Sequence, residues 1–474
     1  MSGFFGCISH KECVADVFYG TDYHSHLGTK RAGMAFYNGE LFIRSIHSLE
    51  NSYFRTKFED ELGKFARSRM GIGVISDTES QPITLTSHLG RFAVVTIGRI
   101  DNIGDITAAL LADRVNFAEL SDSTINATEL VAILISRART FEEGIEQVHN
   151  TIKGSCSFLI LTDHGIYACR DKVGRTPVVI GKSKDGFVAA TESSSFTNLE
   201  YTLVRDLEAR EAVFITADGI KTVVAPGKKK QVCSFMWVYY GYPSSYYEGI
   251  NVEESRYNCG AALAERDKGE LVNIDFAAGI PDSGIGHAVG YSNEKRIPYK
   301  RAFVKYTPTW PRSFMPSNQE MRSLVAKMKL IPNKALTNGS KIVFLDDSIV
   351  RGTQLKDNVC KLFEAGAEEV HIRIACPPLV FPCSFVNFSA SRSSFDLVTR
   401  RTIRELEGTN EFTDEVLLEY ADPDSERYAR MVEKMREDMG LTTLKFMRLD
   451  DLVKAIGLPK EQLCTHCWDN SSEM

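Results

Sequence analysis

No stretch of this 474-residue chain approaches the apolar length that a bilayer-spanning helix needs, and its start, Met1-Ser2-Gly3, lacks the basic and apolar regions of a signal peptide. A cytoplasmic location without a membrane partner is therefore expected. Long Lys/Arg blocks and helix-turn-helix patterns are also missing, and the formal net charge is -6, so the electrostatic footprint of a nucleic-acid binder is absent. The short cluster Lys228-Lys229-Lys230 after Pro226-Gly227 reads as a solvated hairpin turn. There are no internal repeats and no low-complexity tracts. What is left is an ordinary globular composition, 43% hydrophobic and 25% charged, long enough for about two to three domains. Eleven cysteines in a reducing compartment are not expected to form disulfides, which leaves reduced, metal-bound or catalytic thiols.

Two rhythms organise the chain. Up to about residue 230 short β-like runs alternate with turns, at 4–9, 33–37, 92–98, 157–162, 187–190 and 212–215. Helical spacing is confined there to 127–139 and 141–153, which predicts stacked sheets flanked by helices. From about residue 250 strand and helix alternate, as in a doubly wound parallel sheet. Residues 276–280 lead through Pro281-Asp282-Ser283-Gly284 into a helix at 285–293, 341–345 into a helix at 354–364 closed by Gly366, and 370–375 forms the next strand. Charged helical segments at 425–439 and 450–456 follow, and the acidic stretch 405–424 reads as a solvated insertion.

The most informative run is Ile342-Val343-Phe344-Leu345-Asp346-Asp347-Ser348-Ile349-Val350-Arg351-Gly352-Thr353. An apolar strand ends in two carboxylates, and ligands of open α/β sheets bind beyond the carboxyl ends of the strands. Asp346 and Asp347 can accept from two vicinal hydroxyls. The turn Ser348 to Thr353 offers hydroxyls, backbone N–H groups, a flexible glycine and a helix N-terminus, which suit a phosphate dianion. A ribose 5-phosphate site is expected.

This run resembles the phosphoribosyl pyrophosphate (PRPP) signature of type I phosphoribosyltransferases, in the wording of the amidophosphoribosyltransferase family. The resemblance implies displacement of pyrophosphate from Mg²⁺-PRPP by a nitrogen nucleophile, giving phosphoribosylamine for purine synthesis. It places Asp346, Asp347, Ser348, Ile349, Val350, Arg351, Gly352 and Thr353 on PRPP, with Asp282 and Ser283 of the pyrophosphate loop, and Mg²⁺ on Ser283, Asp346 and Asp347. Lys305 and Arg312 stand where the family's flexible loop meets the phosphates. Between them Tyr306-Thr307-Pro308-Thr309-Trp310-Pro311 replaces an Asn-Arg-Tyr-Val-Gly run, so two prolines stiffen the loop. Lys327 and Lys329 fit either the family's next basic positions or a solvated helix face.

The first half resembles the family's N-terminal-nucleophile glutaminase domain, whose processed Cys is the nucleophile. Here Ser2 holds that place. The Gly-His-Val-Arg-Tyr segment, whose Arg clamps the glutamine carboxylate, corresponds to Gly73-Val74-Ile75-Ser76-Asp77, which offers no cation. The oxyanion-hole Asn segment corresponds to Thr96-Ile97-Gly98-Arg99, and loss of one such donor costs about two to three orders of magnitude in rate. The Asp that binds the substrate amino group has become Ala127 in Asn126-Ala127-Thr128-Glu129, and the His-Arg-Gly segment reads His26-Leu27-Gly28. The scaffold motifs Arg170-Asp171 and Ala190-Thr191-Glu192-Ser193 persist. The expectation is a folded domain without glutamine hydrolysis, with Cys7 and Cys13 as inert buried thiols and with ammonia arriving free or from a partner.

Cys464 and Cys467 form a C-x-x-C pair, and Cys233 and Cys383 fall where iron-sulfur members of the family carry their other ligands. The resemblance implies a [4Fe–4S] cluster on these four, with zinc or free thiols as alternatives. Cys156, Cys169, Cys259, Cys360 and Cys376 read as core. The expected organisation is an αββα domain at 1–232, an α/β phosphoribosyltransferase domain at 233–463 and a cysteine-bearing tail at 464–474. The family further implies a homotetramer with purine nucleotide effectors. A competing reading is a non-catalytic paralogue that senses PRPP or nucleotides and assembles with another enzyme. A transferase with a different nitrogen nucleophile is a third.

Overall fold

The computed structural model describes residues 2–50, 52–121, 124–270, 273–306, 330–386 and 393–471. The first part is built from two antiparallel sheets. One has seven strands in the order Thr202–Asp206, Val179–Lys182, Gly186–Ala190, Ser2–Ser9, Met70–Ser76, Arg31–Tyr37, Phe42–Ser48. The other has six, in the order Ile220–Val224, Ala212–Ile215, Ile166–Cys169, Gly154–Leu161, Gly90–Ile100, Ile83–Ser87.

Alternation along the strands explains the layering. Phe4, Ile8, Ile72 and Val74 of the first sheet meet Val95, Ile97, Leu159 and Ala168 of the second in one apolar core. Phe5 and Cys7, on the other side of the same strand, pack with Val17 and Phe18 of helix Val14–Asp22. Phe92, Val94, Phe158 and Ile160 face helices Ala127–Ser136 and Phe141–Thr151 through Leu130, Leu134, Ile145 and Val148. Helix, sheet, sheet and helix thus stack as an αββα sandwich, as the sequence predicts.

The second part is a four-stranded parallel sheet, Phe276–Gly279, Lys341–Asp346, Glu369–Ile374 and Thr443–Phe446 in that order. Helices Val252–Arg266, Ile285–Lys295, Thr353–Glu364 and Glu426–Met439 accompany it. Every buried strand residue from Ile342 to Leu345 is apolar, as expected of a sheet covered on both faces. Among the described residues no helix is long and apolar enough to cross a membrane.

Polar groups knit the two parts together. Buried Glu192 accepts from Tyr242 N, Ser245 Oγ and Tyr247 Oη, each at 2.9 Å, and pairs with His26 Nε2 at 2.5 Å. Arg170, fully buried, pairs with Glu248 at 2.7 Å. Val232–Cys233 bridges in parallel to Leu463–Cys464.

Three expectations fail. The acidic stretch 405–424 is not simply solvated: Thr413 caps helix Asp414–Ala421, which drives Leu417 and Tyr420 into the core because its apolar residues share one face. Lys230 is not a free turn residue, since it pairs with Glu208 and Glu248, each at 2.6 Å. Cys360 is exposed on the outer side of helix Thr353–Glu364, although Leu355, Val359 and Leu362 of that helix are buried.

Candidate active site, ancestral cavity and cysteine cluster

Strand Lys341–Asp346 delivers Asp346 and Asp347 to the C-terminal edge of the parallel sheet, Asp347 only 5% exposed. Beside it, strand Phe276–Gly279 ends in the 280–284 loop. Ile280 N donates to Leu345 O at 3.0 Å and Gly284 N to Ile280 O at 2.8 Å, so the loop folds back onto the neighbouring strand. A Cβ on Gly284 would lie 2.0 Å from Leu345 O, which restricts this approach to glycine. The consequence is that Ser283 Oγ donates to Asp346 Oδ1 at 2.9 Å, and Asp347 N donates to the same oxygen at 3.0 Å. Ser348 Oγ donates to Asp347 Oδ2. Lys305, on strand Phe303–Lys305, forms an ion pair with Asp282, and both are well exposed.

The electrostatics of the acidic pair are unfavourable without a cation. Burial, then the adjacent Asp347 charge, pushes the Asp346 carboxyl well above its usual range. Burial also raises Asp347, against the Ser348 hydroxyl and the more distant Arg256 guanidinium. Arg256 itself is buried, donating to Trp237 O at 3.0 Å and Gly241 O at 2.9 Å. Sequence reasoning missed it. Its only signal was a charge on the inner face of helix Val252–Arg266.

The turn after the acids uses its residues unequally. Ile349 is buried and Val350 packs against the core, so these two present backbone rather than side chain. Val398 N holds Val350 O at 2.8 Å. Gly352 adopts φ 75° at the N-cap of helix Thr353–Glu364, whose first N–H groups open toward the turn. Arg351 and Thr353 are exposed. Arg312 lies outside the described residues, as do Lys327, Lys329 and the Thr307 to Pro311 segment.

In the first part, Ser2 pairs in register with Ser76, and its Oγ donates to Ser76 Oγ at 3.1 Å. Behind it opens a cavity of about 550 Å³ whose walls include Ser2, Thr96, Gly98, Arg99 and Ala127. Among the described lining residues Arg99 is the sole cation, and its guanidinium donates to Cys383 O at 3.1 Å and pairs with Asp101 at 3.6 Å. Asp77 accepts from Thr29 N at 2.7 Å and Thr29 Oγ1 at 3.2 Å. Asn126 caps helix Ala127–Ser136 by accepting from Thr128 N and Glu129 N. Cys7 and Cys13 are buried, Cys7 Sγ lying 3.3 Å from Tyr201 Oη.

The four tail-associated cysteines converge from three distant segments. The hydrogen bond with Cys383, and then burial, pushes the Cys467 thiol well above its ordinary value, and burial does the same for Cys233. Cys464 and Cys383 lie near enough to Cys233 to add to its shift. Cys383 Sγ accepts from Phe385 N and Val386 N, both at 3.4 Å, and the Arg175 guanidinium stacks 3.7 Å above the Phe385 ring. Among the described residues no group of three or more His, Cys, Asp or Glu side chains is placed to hold a metal ion.

These features agree with known proteins. A family profile described as a glutamine amidotransferase domain matches residues 67–198. The amidophosphoribosyltransferase of Bacillus subtilis is 29% identical over 466 residues, 96% of this chain and 89% of that protein. The solved glutamine PRPP amidotransferase of B. subtilis, complexed with ADP and GMP, superposes with a TM-score of 0.84 at 27% identity, covering 99% of this chain and 96% of its own. A structure described as the allosteric regulatory enzyme of purine biosynthesis gives a TM-score of 0.82 at 28% identity, covering 99% and 95%. With an αββα sandwich leading into a parallel sheet whose edge carries the acidic pair, and with relatives matched along nearly its whole length, the chain belongs to the amidophosphoribosyltransferase family.

Proposed function

We propose that this chain forms 5-phosphoribosylamine from PRPP in purine synthesis, taking ammonia that is free or delivered by a partner rather than cutting glutamine itself. The observation that carries this is the closure of the 280–284 loop onto the acidic strand end through Ser283 and Asp346. Asp346 and Asp347 accept from the ribose hydroxyls. The Ser348 to Thr353 turn and the helix N-terminus behind it hold the 5-phosphate. Asp282, Ser283 and Lys305 face the pyrophosphate, with Arg312 completing the cationic side. Charge develops on the leaving group, so fixed donors and cations aimed there supply most of the acceleration.

The donor set fits Mg²⁺: two adjacent carboxylates, Asp347 buried and Asp346 half-buried, with the Ser283 hydroxyl bonded to Asp346. Held by Ser283, Asp346 and Asp347, the ion would neutralise pyrophosphate charge. The family resemblance supports a [4Fe–4S] cluster on Cys233, Cys383, Cys464 and Cys467, with zinc as the competitor; two backbone N–H groups aimed at Cys383 Sγ suit a thiolate there, although the described side chains do not close into a metal-holding group. Such a site would pin the 1–232 unit, the 233–463 unit and the 464–474 tail together. The ADP and GMP of the B. subtilis complex support purine nucleotide effectors, and the family supports a homotetramer.

Loss of glutamine cleavage rests on the cavity behind Ser2, where no lining cation among the described residues is left for an amino-acid carboxylate. The sensor reading is not favoured, since the relatives above are enzymes. Incubating the chain with Mg²⁺-PRPP and either ammonium or glutamine, while following pyrophosphate, tests the proposal. Ammonium should support release and glutamine should not. Equal rates with both donors would sink the claim of a disarmed glutaminase, and no release with either would sink the transferase.

A further inference from the structure

The turn from Ser348 to Thr353 is braced from outside. Two of its carbonyls are gripped by one helix, Val398–Glu407, that lies well downstream in the chain. Val350 O accepts from Val398 N at 2.8 Å. Arg351 O accepts from Arg401 Nη2 at 2.5 Å, and the other arm of that guanidinium, Nη1, donates to Phe395 O at 3.2 Å and Asp396 O at 3.3 Å. Arg401 thus ties the turn to the residues that open its own helix.

A trans peptide is planar, and its N–H points away from its C=O. Because Val350 O and Arg351 O are both drawn toward this helix, the N–H groups of Arg351 and Gly352 face away from it, and among the described residues no backbone carbonyl accepts from either. Gly352, at φ 75° and ψ -20°, adds the left-handed step with which successive N–H groups form a concavity for an anion.

We propose that Arg401 is a positioning residue for the 5-phosphate: without touching the ligand, it fixes the Arg351–Gly352 peptide so that the Gly352 N–H is aimed before the phosphate arrives. This rests on the reading that the Ser348 to Thr353 turn holds that phosphate. Donors already in place bind an anion without the cost of ordering them. A planar fork spans Arg351 O on one side and the Phe395 and Asp396 carbonyls on the other, which a single ammonium does not.

Ribose 5-phosphate and Mg²⁺-pyrophosphate, titrated separately into the full chain by calorimetry, probe the two ends of the site. Arg401→Gln should weaken ribose 5-phosphate by about tenfold, the scale of one charge-assisted hydrogen bond, and leave Mg²⁺-pyrophosphate within about twofold. Arg401→Lys, which keeps the charge and loses the fork, should fall between. Val398→Pro removes the other brace, since proline has no N–H and suits the first position of a helix, and it should also weaken ribose 5-phosphate selectively. In turnover all three should raise the KM for PRPP more than they lower kcat, because the 5-phosphate takes no part in the bond change. A parent chain that binds Mg²⁺-pyrophosphate but not ribose 5-phosphate removes the phosphate from the turn, and the role of Arg401 with it. Where the parent binds both, a ribose 5-phosphate affinity unchanged by Arg401→Gln, or an equal loss for the two probes, overturns the role of Arg401 alone.

Discussion

Ser283 and Asp346, 63 positions apart, share a 2.9 Å hydrogen bond that ties the 280–284 loop to the acid at the end of the neighbouring strand. The bond exists because Gly284 lets the loop backbone touch Leu345 O, so one missing side chain sets the spacing of two binding loops. Asp346 Oδ1 receives two donors, Ser283 Oγ and Asp347 N. Geometry of this kind is prepared before substrate arrives, which is how positioning lowers a barrier.

Removing either partner should therefore damage turnover more than folding. Ser283→Ala is expected to lower kcat/KM for ammonium-dependent pyrophosphate release by about 10–100-fold, the usual loss when a metal-orienting partner is deleted. The Mg²⁺ concentration for half-maximal rate should rise in parallel. Initial rates across a Mg²⁺ series check this, and an unchanged Mg²⁺ dependence would remove Ser283 from the site.

The acidic pair should also be a stability cost. Burial raises both carboxyls, with the neighbouring charge adding to Asp346, so the folded chain holds protons more tightly than the unfolded one. Their contribution to stability is present at low pH and is lost as pH rises through the raised values. Asp347→Asn should then melt higher than the parent at neutral pH without ligand, by about 2–4 °C for each kcal/mol relieved. Mg²⁺ with PRPP should stabilise the parent and not the variant. A variant that melts lower at neutral pH and equally at acidic pH would contradict the assignment.

Much of this was readable from residues because strands announce themselves. The run from Ile342 to Leu345 and the alternation around Phe4 and Ile8 lie where periodicity places them, and Ser425 marks its helix start by accepting from Tyr428 N. Helix Val252–Arg266 was hidden because its buried face interrupts Val252, Cys259, Leu263 and Ala264 with Ser255, Arg256 and Gly260, which weakens the apolar stripe. It packs backbone to backbone: a Cβ on Gly260 would lie 1.9 Å from His287 O, and one on Gly290 2.0 Å from Tyr257 O. That logic of small residues leaves only a faint hydrophobic period. The same helix carries Arg256, whose charge lowers the Asp347 carboxyl, so that residue was hidden with it.

Glu192 offers an acid-side test of how the two parts are joined. Burial opposes its charge, yet the paired His26 and the donors from Tyr242, Ser245 and Tyr247 hold its carboxyl down at about 2. A depressed carboxyl stabilises above its unfolded value and loses that contribution as pH falls through the folded one, here from about 4.5 down to about 2. The span corresponds to about 3 kcal/mol. Glu192→Ala should lose stability of that order at neutral pH, through the stranded hydroxyls as well as the lost charge. Its denaturant midpoint should also fall less steeply than the parent's across that acid window, the rest of the fall belonging to other depressed carboxyls such as Glu61 and Asp267. A variant that keeps the parent's steep acid limb would show that some other carboxylate governs it.

The cysteine set makes the last prediction, because its chemistry distinguishes three states that share one geometry. Cys233 and Cys464 sit opposite one another in a parallel bridge joining the start of the second part to the tail, while the Cys467 carbonyl accepts from Val380 N and Phe381 N, both at 3.1 Å. A metal here would cross-link segments more than two hundred residues apart, stabilising mainly by restricting the unfolded chain. Anaerobically purified chain should carry about four iron atoms and equimolar sulfide, the composition of a cubane cluster. Cys467→Ser should lose both, and melt at a lower temperature than the parent. A single zinc per chain that vanishes in the same variant would replace iron with a tetrathiolate zinc site. Metal-free protein whose melting is indifferent to Cys467→Ser would leave the four thiols as packing alone, and the tail would then be held by Trp468, whose ring lies 5.0 Å from that of Phe235.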